Sequence, residues 1–273
     1  MPLSYSQLSL YRVCPKQYEF ANVKKIPRQI SAGESFGASV HNTLRKWGER
    51  ETESGKRKAE NDQLHLFGAD EEIVRAPLSV IHLIELWHSS FIVEGYATRK
   101  DADAARKRGE TLMRHFFEWW SREPREIIAV EKGFVWNDRD SKDGKDSKDS
   151  KEITITGRFD RVEKVAGGVR IIDYKTTAPR EQENVDEDLQ LSIYALAAEA
   201  TFGLPCVELV LLFLREDGIT EVISKRSPED LVSARSVIKT LADGISSKDF
   251  HADPAAAKCG RCPYRGICPA SAV

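Results

Sequence analysis

The chain has 273 residues, of which 41% are apolar and 31% are charged, and its formal net charge is −2. This composition is typical of a globular protein and excludes a wholly disordered or collagen-like chain, while the small net charge gives no overall sign of nucleic-acid binding. The longest strongly apolar stretch, 207–214, is far shorter than the ~18 residues of a membrane-spanning helix. No basic-then-apolar leader opens the sequence, so we predict a cytoplasmic protein with no membrane partner.

The first half of the sequence predicts helices. Apolar residues recur at about 3.6-residue spacing over residues 35–50 and predict a helix there. Residues 51–72 are polar and charged and predict a loop, and two more helices are predicted over 74–94 and 100–122. We interpret residues 51–125 as a helical insertion within a single domain that spans residues 1–273.

The second half predicts a sheet with helices against it. Apolar alternation or short apolar runs predict strands over residues 127–136, 153–164, 169–175, 207–214 and 219–224, and helices over 186–202 and 228–245. Residues 138–152 repeat Asp-Ser-Lys without any apolar residue and predict a disordered, charged hairpin tip. Residues 248–273 predict a loop. This order of elements predicts an α/β fold.

Charged side chains stand on neighbouring strands of the predicted sheet. Asp173 and Lys175 are two residues apart on one strand and therefore share a face. Asp160 lies on the polar face of the preceding strand, one hairpin away. Two carboxylates that lie close together repel each other unless a cation sits between them, so the pattern favours a metal site. A plain surface ion pair is the alternative at each position, because Asp-x-Lys is a common tripeptide.

Three polar residues on predicted helices could face these strands. His41 lies beside the apolar stripe of the first helix, where a structural histidine is the commoner alternative. Gln190 and Tyr194 are four residues apart and share a helix face, so both could donate hydrogen bonds to the same group. The alternative for this pair is an ordinary amphipathic helix edge.

The five cysteines comprise a cluster, a distant member and an isolated one. Cys259, Cys262 and Cys268 lie close together, Cys14 lies near the other chain end, and Cys206 precedes an apolar strand. An odd count without an export signal argues against a disulfide framework. Four thiolates can bind a tetrahedral zinc ion or an iron–sulfur cluster, provided that the chain ends meet. Cys206 is predicted to be a thiol of the core.

Six segments, in this order, resemble the PD-(D/E)XK nuclease superfamily in its RecB-like branch. The segments are LSYSQLSLYRVCPKQYEF, GASVHNTL, ITGRFDRVE, IIDYKTT, LQLSIYALA and CGRCPYRGIC. The branch includes AddB-type helicase–nuclease subunits and CRISPR-associated nucleases with a four-cysteine cluster. The resemblance implies a restriction-endonuclease-like mixed central sheet flanked by helices. It also implies that the cysteine-rich C-terminal loop, residues 248–273, binds a cluster and is tied to the N-terminus.

The resemblance further implies roles for the matching positions. The implied ligands of Mg²⁺ or Mn²⁺ are His41, Asp160, Asp173 and the backbone carbonyl of Tyr174. Lys175 would orient the attacking water and stabilise charge, and Gln190 and Tyr194 match an additional Gln-x3-Tyr motif near the active site. Glu131 lies where some members have an acidic residue and is a weaker candidate. The implied ligands of a [4Fe–4S] cluster, with structural zinc as the alternative, are Cys14, Cys259, Cys262 and Cys268.

We therefore predict a divalent-metal-dependent DNA nuclease, an exonuclease on single-stranded DNA or DNA ends that serves repair and recombination. The sequence contains no Gly-x4-Gly-Lys-Ser/Thr loop, so the protein either works alone on existing ends or is supplied with ends by a separate helicase partner. The alternatives are a CRISPR-associated nuclease for spacer acquisition, a non-catalytic nucleic-acid-binding module of a helicase–nuclease complex, and a zinc-stapled structural protein. Basic residues near both chain ends could form part of a path for DNA.

Overall fold

The computed structural model describes residues 2–64, 78–138 and 152–273. The N-terminal segment consists of strand β1 (Leu3–Ser4), helices α1 (Tyr5–Val13) and α2 (Pro15–Tyr18), and a π-helical turn (Glu19–Val23). Three longer helices follow, namely α3 (Ala32–Leu64), α4 (Val80–Ser90) and α5 (Arg99–Trp120). No helix in these described ranges is long and apolar enough to cross a bilayer.

The rest of the chain contributes most of the sheet and the helices on its second face. Its elements are β2 (Glu126–Asp138), β3 (Ile153–Val165), β4 (Gly168–Lys175), α6 (Gln182–Asp186), α7 (Leu189–Phe202), β5 (Cys206–Arg215), β6 (Gly218–Ser224), α8 (Pro228–Ser246) and α9 (Ala256–Cys259). Local signals set several of these bounds. Ser227 accepts the N–H of Asp230 and begins α8, and Gly203, at φ 65°, ends α7 in a left-handed conformation.

The six strands form one mixed sheet in the order β1-β3-β4-β5-β6, with β2 also paired to β3. Strands β2, β3 and β4 are antiparallel neighbours, β4 and β5 are parallel, and β5 and β6 are antiparallel. The short strand β1 runs parallel to β3 and pairs Leu3 with Ile155. The predicted α/β fold, a mixed central sheet flanked by helices, is therefore confirmed.

Helices cover both faces of the sheet. One face packs against α1, α7 and α8 in a core that includes Ile171 and Leu211. The other face packs against α3, α4 and α5 in a core that includes Ile172 and Leu212. Adjacent residues of β4 and of β5 therefore enter different cores, which explains why these strands read as continuous apolar runs.

The predicted loop over residues 51–72 is wrong for its described part, because α3 continues through residue 64. Residues 51–64 lack an apolar stripe, but half of the segment consists of Glu, Lys, Arg and Gln residues, which favour helix without needing a core. The helix predicted over 74–94 is shorter than expected, since Ser79 caps α4 by accepting the N–H of His82 and the backbone is extended at Phe91. The predicted hairpin tip, apart from its two end residues, lies outside the described residues.

Candidate metal centre and cysteine pocket

Asp160 and Asp173 meet where β3 and β4 separate. The last residue pair before this point is Arg161 with Ile172, so the register places the two aspartates opposite each other. Asp160 Oδ2 accepts the backbone N–H of Tyr174 at 3.0 Å, which fixes its carboxylate against the neighbouring strand. Both carboxyl groups are buried. The structure thus brings together two of the acidic residues predicted from the sequence.

Lys175, Gln190 and Tyr194 form a hydrogen-bonded frame around Asp173. Asp173 Oδ1 accepts both the Gln190 amide and the Tyr194 hydroxyl at 3.0 Å. Lys175 Nζ lies 2.6 Å from Asp173 Oδ2 and donates to Gln190 Oε1 at 2.9 Å. Asp188 caps α7 by accepting the N–H groups of Gln190 and Leu191, which places this face of the helix over β4.

His41 and Glu131 approach Asp160 from the other side. His41 Nδ1, on α3, lies 3.3 Å from Asp160 Oδ2. His41, Glu131 and Asp160 each offer one ligand atom, and these atoms all lie within 4.8 Å of one another. This group contains Glu131, the weaker candidate from the sequence, and does not contain Asp173. The Tyr174 side chain lies on the α3 side of the sheet, with its ring 6.1 Å from that of His41.

The charges of the centre shift one another's pKa values. Burial disfavours a charged imidazole, but the hydrogen bond and charge of Asp160 raise the pKa of His41 to about 9. Burial and the charge of Asp160 raise the pKa of Asp173, and Lys175 opposes that rise. Burial, together with Asp160, also raises the pKa of Glu131. Burial and the neighbouring carboxylate therefore disfavour the ionised forms of Asp173 and Glu131.

The donor set fits a divalent cation. Asp173 Oδ2 is buried and is bound by the Lys175 ammonium at 2.6 Å. Carboxylate oxygens with one imidazole nitrogen suit Mg²⁺ or Mn²⁺, whose bonds to oxygen are about 2.0–2.2 Å long. His41, Asp160 and Glu131 could hold such an ion directly, and Asp173 lies opposite Asp160 at the same junction.

Near Glu131, strands β2 and β3 both change which of their faces packs against the core. On β3, Phe159 and then Val162 enter the same core, although simple alternation would separate residues three apart. On β2, Ala129 and then Phe134 do the same across an odd spacing. The slip lies at Glu131, whose φ is 49°, a left-handed conformation that is rare for a residue in a strand. Sequence alternation alone could not locate it, because a glutamate gives no sign of a left-handed φ.

A buried ion network lies directly behind Asp160 and was not predicted. Arg161, only 1% exposed, binds Glu51 of α3 at 2.8 Å and Glu163 at 2.7 Å. Glu163 also contacts Arg125 at 3.4 Å, and the Trp120 indole donates to Glu51. Arg161 and Glu163, two residues apart and therefore on one face of the strand, are the sequence signal that could have revealed it. The network joins α3 and β3, the two elements that carry His41 and Asp160.

The four predicted cluster ligands line one pocket. The cysteines concerned are Cys14, Cys259, Cys262 and Cys268, and each is a half-buried free thiol. Burial raises the pKa of Cys262, and the other three thiols add to the rise. Within the described ranges, only the His41 group brings three ligand atoms within 4.8 Å, so no three of these sulfurs are that close together. Cys206 lies apart, and burial raises the pKa of its thiol to about 12.

Direct contacts hold the chain ends together around this pocket. The Tyr11 hydroxyl donates to the Asp249 carbonyl at 2.7 Å, and the Lys16 N–H donates to the His251 carbonyl at 3.0 Å. Tyr264 donates to the Ile26 carbonyl at 3.1 Å. The two ends therefore meet, which the sequence left open.

The comparison with protein families agrees with this architecture. Residues 2–269 match the family model described as the PD-(D/E)XK nuclease superfamily. A solved structure described as "Crystal structure of SSO0001" is 13% identical, with a TM-score of 0.39, and the match covers 98% of this chain and 96% of that chain. That likeness is too low to bear on function. A comparison with curated proteins finds no match.

Proposed function

The chain belongs to the PD-(D/E)XK nuclease superfamily, whose members use divalent metals, and from that premise we propose that it is a metal-dependent deoxyribonuclease. The observation that carries the proposal is the pairing of Asp160 with Asp173 at a strand junction, with Lys175 2.6 Å from Asp173 Oδ2. The two carboxylates can hold a divalent cation, and that cation and the ammonium can stabilise negative charge on a phosphodiester.

We assign the cation to His41, Asp160, Asp173 and the backbone carbonyl of Tyr174. A divalent cation bound there supplies charge neutralisation and lowers the pKa of a bound water. His41 must lose its proton to solvent before it can offer a nitrogen lone pair. The Tyr174 N–H keeps Asp160 in place through its 3.0 Å hydrogen bond.

Lys175 is the residue that we assign to the attacking water and to the developing charge of the phosphate. Its ammonium is held by Asp173 at 2.6 Å and by Gln190 at 2.9 Å, so it is oriented before any substrate arrives. Burial alone would lower the pKa of Lys175, but the charge of Asp173 raises it, which keeps the ammonium protonated. Gln190 and Tyr194 act through Asp173 and Lys175 and are positioning residues.

We propose that the four cysteines at the chain ends bind a [4Fe–4S] cluster. The four thiols line one pocket formed by both chain ends, which supports a cofactor held by all four cysteines. Anaerobic purification tests this assignment: a brown protein with iron and sulfide supports the cluster, and a colourless protein with one zinc contradicts it.

We propose single-stranded DNA or DNA ends as the substrate, attacked exonucleolytically. The basic residues near the chain ends support this choice only in part, because several of them are paired with acidic residues. Lys16 and Lys24 pair with Glu19, and Lys258 pairs with Asp253. We also propose that the enzyme belongs to the RecB-like branch and acts in repair and recombination in the cytoplasm, on ends supplied by a separate helicase.

Cleavage of end-labelled DNA tests the function. Wild type should degrade single-stranded DNA with Mg²⁺ or Mn²⁺ and not with EDTA, and Asp173→Ala and Lys175→Ala should each lose at least about 1000-fold in rate. Asp217→Asn is the matched control, because Asp217 is an exposed acid at the turn between β5 and β6. A protein that binds DNA but cleaves none with either metal would be a binding module instead.

A further inference from the structure

Arg180 lies on the loop that follows β4, and the chemistry described so far does not use it. The residue comes shortly after Lys175 in the chain, and its side chain is 38% exposed. We propose that Arg180 binds a non-reacting phosphate of the substrate strand, next to the phosphate that is cleaved, with the Tyr5 hydroxyl as a second donor. The inference rests on the proposed function, since it names a further contact of the same site with DNA.

A buried aspartate orients the Arg180 guanidinium. The side chain of Asp188 is 4% exposed, and Arg180 Nη2 donates to its Oδ2 at 2.6 Å. Asp188 Oδ1 accepts the N–H groups of Gln190 and Leu191, at 2.7 and 3.3 Å, at the start of α7. A guanidinium that is already held in place loses less conformational freedom on binding a ligand than a mobile one does. Arg180 is therefore oriented for an anion before DNA arrives.

The pair with Asp188 leaves Arg180 able to bind an anion. Within the described ranges, its Nε and Nη1 groups donate no hydrogen bond. The charge of Asp188 is also met by the positive end of α7, because its other oxygen caps that helix. Arg226 adds further positive charge there by donating to the Asp188 carbonyl at 3.1 Å. Arg180 thus keeps donors and part of its positive charge for a phosphate, which guanidinium groups bind well.

The bonds around Asp188 also connect Arg180 with Lys175. Gln190, whose N–H binds Asp188, accepts the Lys175 ammonium through Oε1 at 2.9 Å. The two cations therefore stand at the two ends of one short chain of hydrogen bonds. Lys175 is assigned to the reacting phosphate, so a phosphate bound at Arg180 would be a neighbouring one.

Tyr5, the first residue of α1, lies in the same region. Burial and the charge of Asp188 raise its pKa, which keeps the hydroxyl protonated. Lys175 and Arg180 act on the pKa of Tyr5 in the opposite direction, so all three charged groups lie near it. A protonated hydroxyl can donate to a phosphate oxygen, a contact that positions a nucleic acid without reading its sequence.

Acidic residues that follow Arg180 limit where the strand can lie. Glu181 and Glu183 are exposed, and neither pairs with Arg180 in the described part of the chain. Helix α6, which contains Glu183, packs against β6, on the far side of β5 from β4. A phosphate would be repelled on the α6 side of Arg180 and attracted on the side of Lys175. The strand is thereby directed toward the metal centre.

Salt-dependent binding of labelled single-stranded DNA tests the contact, with full-length, anaerobically purified protein in EDTA so that no DNA is cleaved. Each phosphate contact to a single strand contributes about −0.7 to the slope of log K against log salt. Arg180→Gln should therefore bind about three- to tenfold more weakly at about 0.1 M salt, with a slope shallower by about 0.7. Arg106→Gln is the matched control and should keep the wild-type slope, because Arg106 is 36% exposed and also pairs with an aspartate, Asp103, at 3.2 Å.

Kinetics separate a substrate contact from a role that acts through Asp188. A non-reacting phosphate is bound alike in the ground and transition states, so Arg180→Gln should raise KM about fivefold and leave kcat within about threefold of wild type. Asp188→Asn should keep the wild-type salt slope, because asparagine caps helices as well as aspartate does and Arg180 keeps its charge. Arg180→Lys should restore the slope with lower affinity, since lysine has the charge without the planar guanidinium.

The outcomes for this contact and for the nuclease can be told apart. A wild-type slope in Arg180→Gln would overturn the contact, and so would equal losses of kcat in Arg180→Gln and Asp188→Asn without any change of slope. In either case the proposed function stands if Asp173→Ala abolishes cleavage. A wild type that cleaves with neither Mg²⁺ nor Mn²⁺, but binds DNA with a slope that Arg180→Gln reduces, would support the contact and contradict the nuclease. A wild type that binds no single-stranded DNA at any salt concentration would overturn the contact.

Discussion

The metal centre and the cysteine pocket are built in different ways. The centre uses strands and helices of the core, and its Asp160–Tyr174 and Asp173–Gln190 contacts are 3.0 Å hydrogen bonds between buried groups. The pocket uses loops and one short helix from the two chain ends, and its four thiols are half-buried and unbonded to one another. One site belongs to the framework of the fold, and the other connects its ends.

This difference predicts how far each site depends on its cofactor. The frame of the centre is fixed by sheet register and by the cap of α7, so it should form without a cation. The chain ends are joined by a few hydrogen bonds and ring contacts, such as Tyr18 with Phe250 at 6.0 Å between ring centroids. A cofactor that joins four thiolates would therefore contribute most of the stability there.

Cys14→Ser has the largest expected effect and tests that dependence. A cofactor on Cys14 and Cys259 closes a loop of about 250 residues, and the chain-entropy model assigns such a cross-link roughly 5 kcal/mol. We expect the variant to lose absorbance at about 400 nm and up to that much unfolding free energy. Urea unfolding of anaerobically purified protein measures the loss.

Cys206→Ser is the matched control for the cysteine pocket. Its thiol lies apart from the pocket and donates a weak hydrogen bond to the Glu208 carbonyl at 3.5 Å. It should keep both the colour and nearly all of the stability. Equal losses in the two variants would mean that the cysteines act through packing and that no cofactor joins the ends.

Arg161→Leu tests whether the metal centre depends for its stability on the buried ion network behind it, as the cysteine pocket is expected to depend on a cofactor. The substitution leaves Glu51 and Glu163 buried without their shared cation, and we expect a loss of about 3–5 kcal/mol in unfolding free energy. Arg45→Ala removes a more exposed pair with Glu49 on the same helix and should cost about 1 kcal/mol or less. Similar, small losses in both variants would show that the network does not support α3 on β3.

Local periodicity explains what the sequence could predict. Asp173 and Lys175 share a face, and Ile172 and Tyr174 enter the opposite core, because alternation along one strand needs no distant partner. Gln190 and Tyr194 share a helix face for the same reason. The resemblance to a family then supplied His41 and the distant Cys14, which periodicity alone could not connect to their sites.

Long-range pairing and local backbone geometry explain what the sequence could not predict. Glu51 lies 110 residues from Arg161, in a segment whose polarity suggested a loop, so neither residue indicated the other. The change of face at Glu131 depends on a left-handed φ that a glutamate in a strand does not indicate. The first feature depends on which elements are neighbours and the second on an unusual backbone conformation, and the sequence shows neither.

Gln190→Ala tests whether the hydrogen bonds around Asp173 and Lys175 support cleavage without contributing to cation binding. Gln190 holds Lys175 at 2.9 Å and Asp173 at 3.0 Å without belonging to the proposed ligand set. We expect the cleavage rate to fall about 10–100-fold while Mn²⁺ affinity changes little, because loss of such support usually costs that much. Gln182→Ala, which removes an exposed glutamine on α6 that bonds Asp186 instead, is the control and should cleave like wild type. A parallel loss of Mn²⁺ affinity would place Gln190 in the cation site itself.

The pH dependence of the metal-free centre should show the smallest effect and should depend on His41. The pKa of His41 in the folded protein is raised to about 9, above its ordinary value near 6.5. The protonated imidazole therefore stabilises the fold below about pH 6.5, and this contribution disappears as the pH rises through 9. Because a cation needs the neutral imidazole, Mn²⁺ affinity should rise by up to about tenfold per pH unit between pH 7 and 9.

His41→Gln should flatten the rise of Mn²⁺ affinity with pH, because the glutamine side chain does not titrate. His251→Gln is the control, because His251 is exposed near the chain end and bonds only Asp249 at 2.8 Å, so its loss should leave the slope intact. A slope that persists in His41→Gln would move the titrating group to Glu131 or Asp173, whose pKa values burial and Asp160 also raise. The proton that competes with the cation would then sit on a carboxylate, and the Asp160–His41 contact would serve only to position the helix.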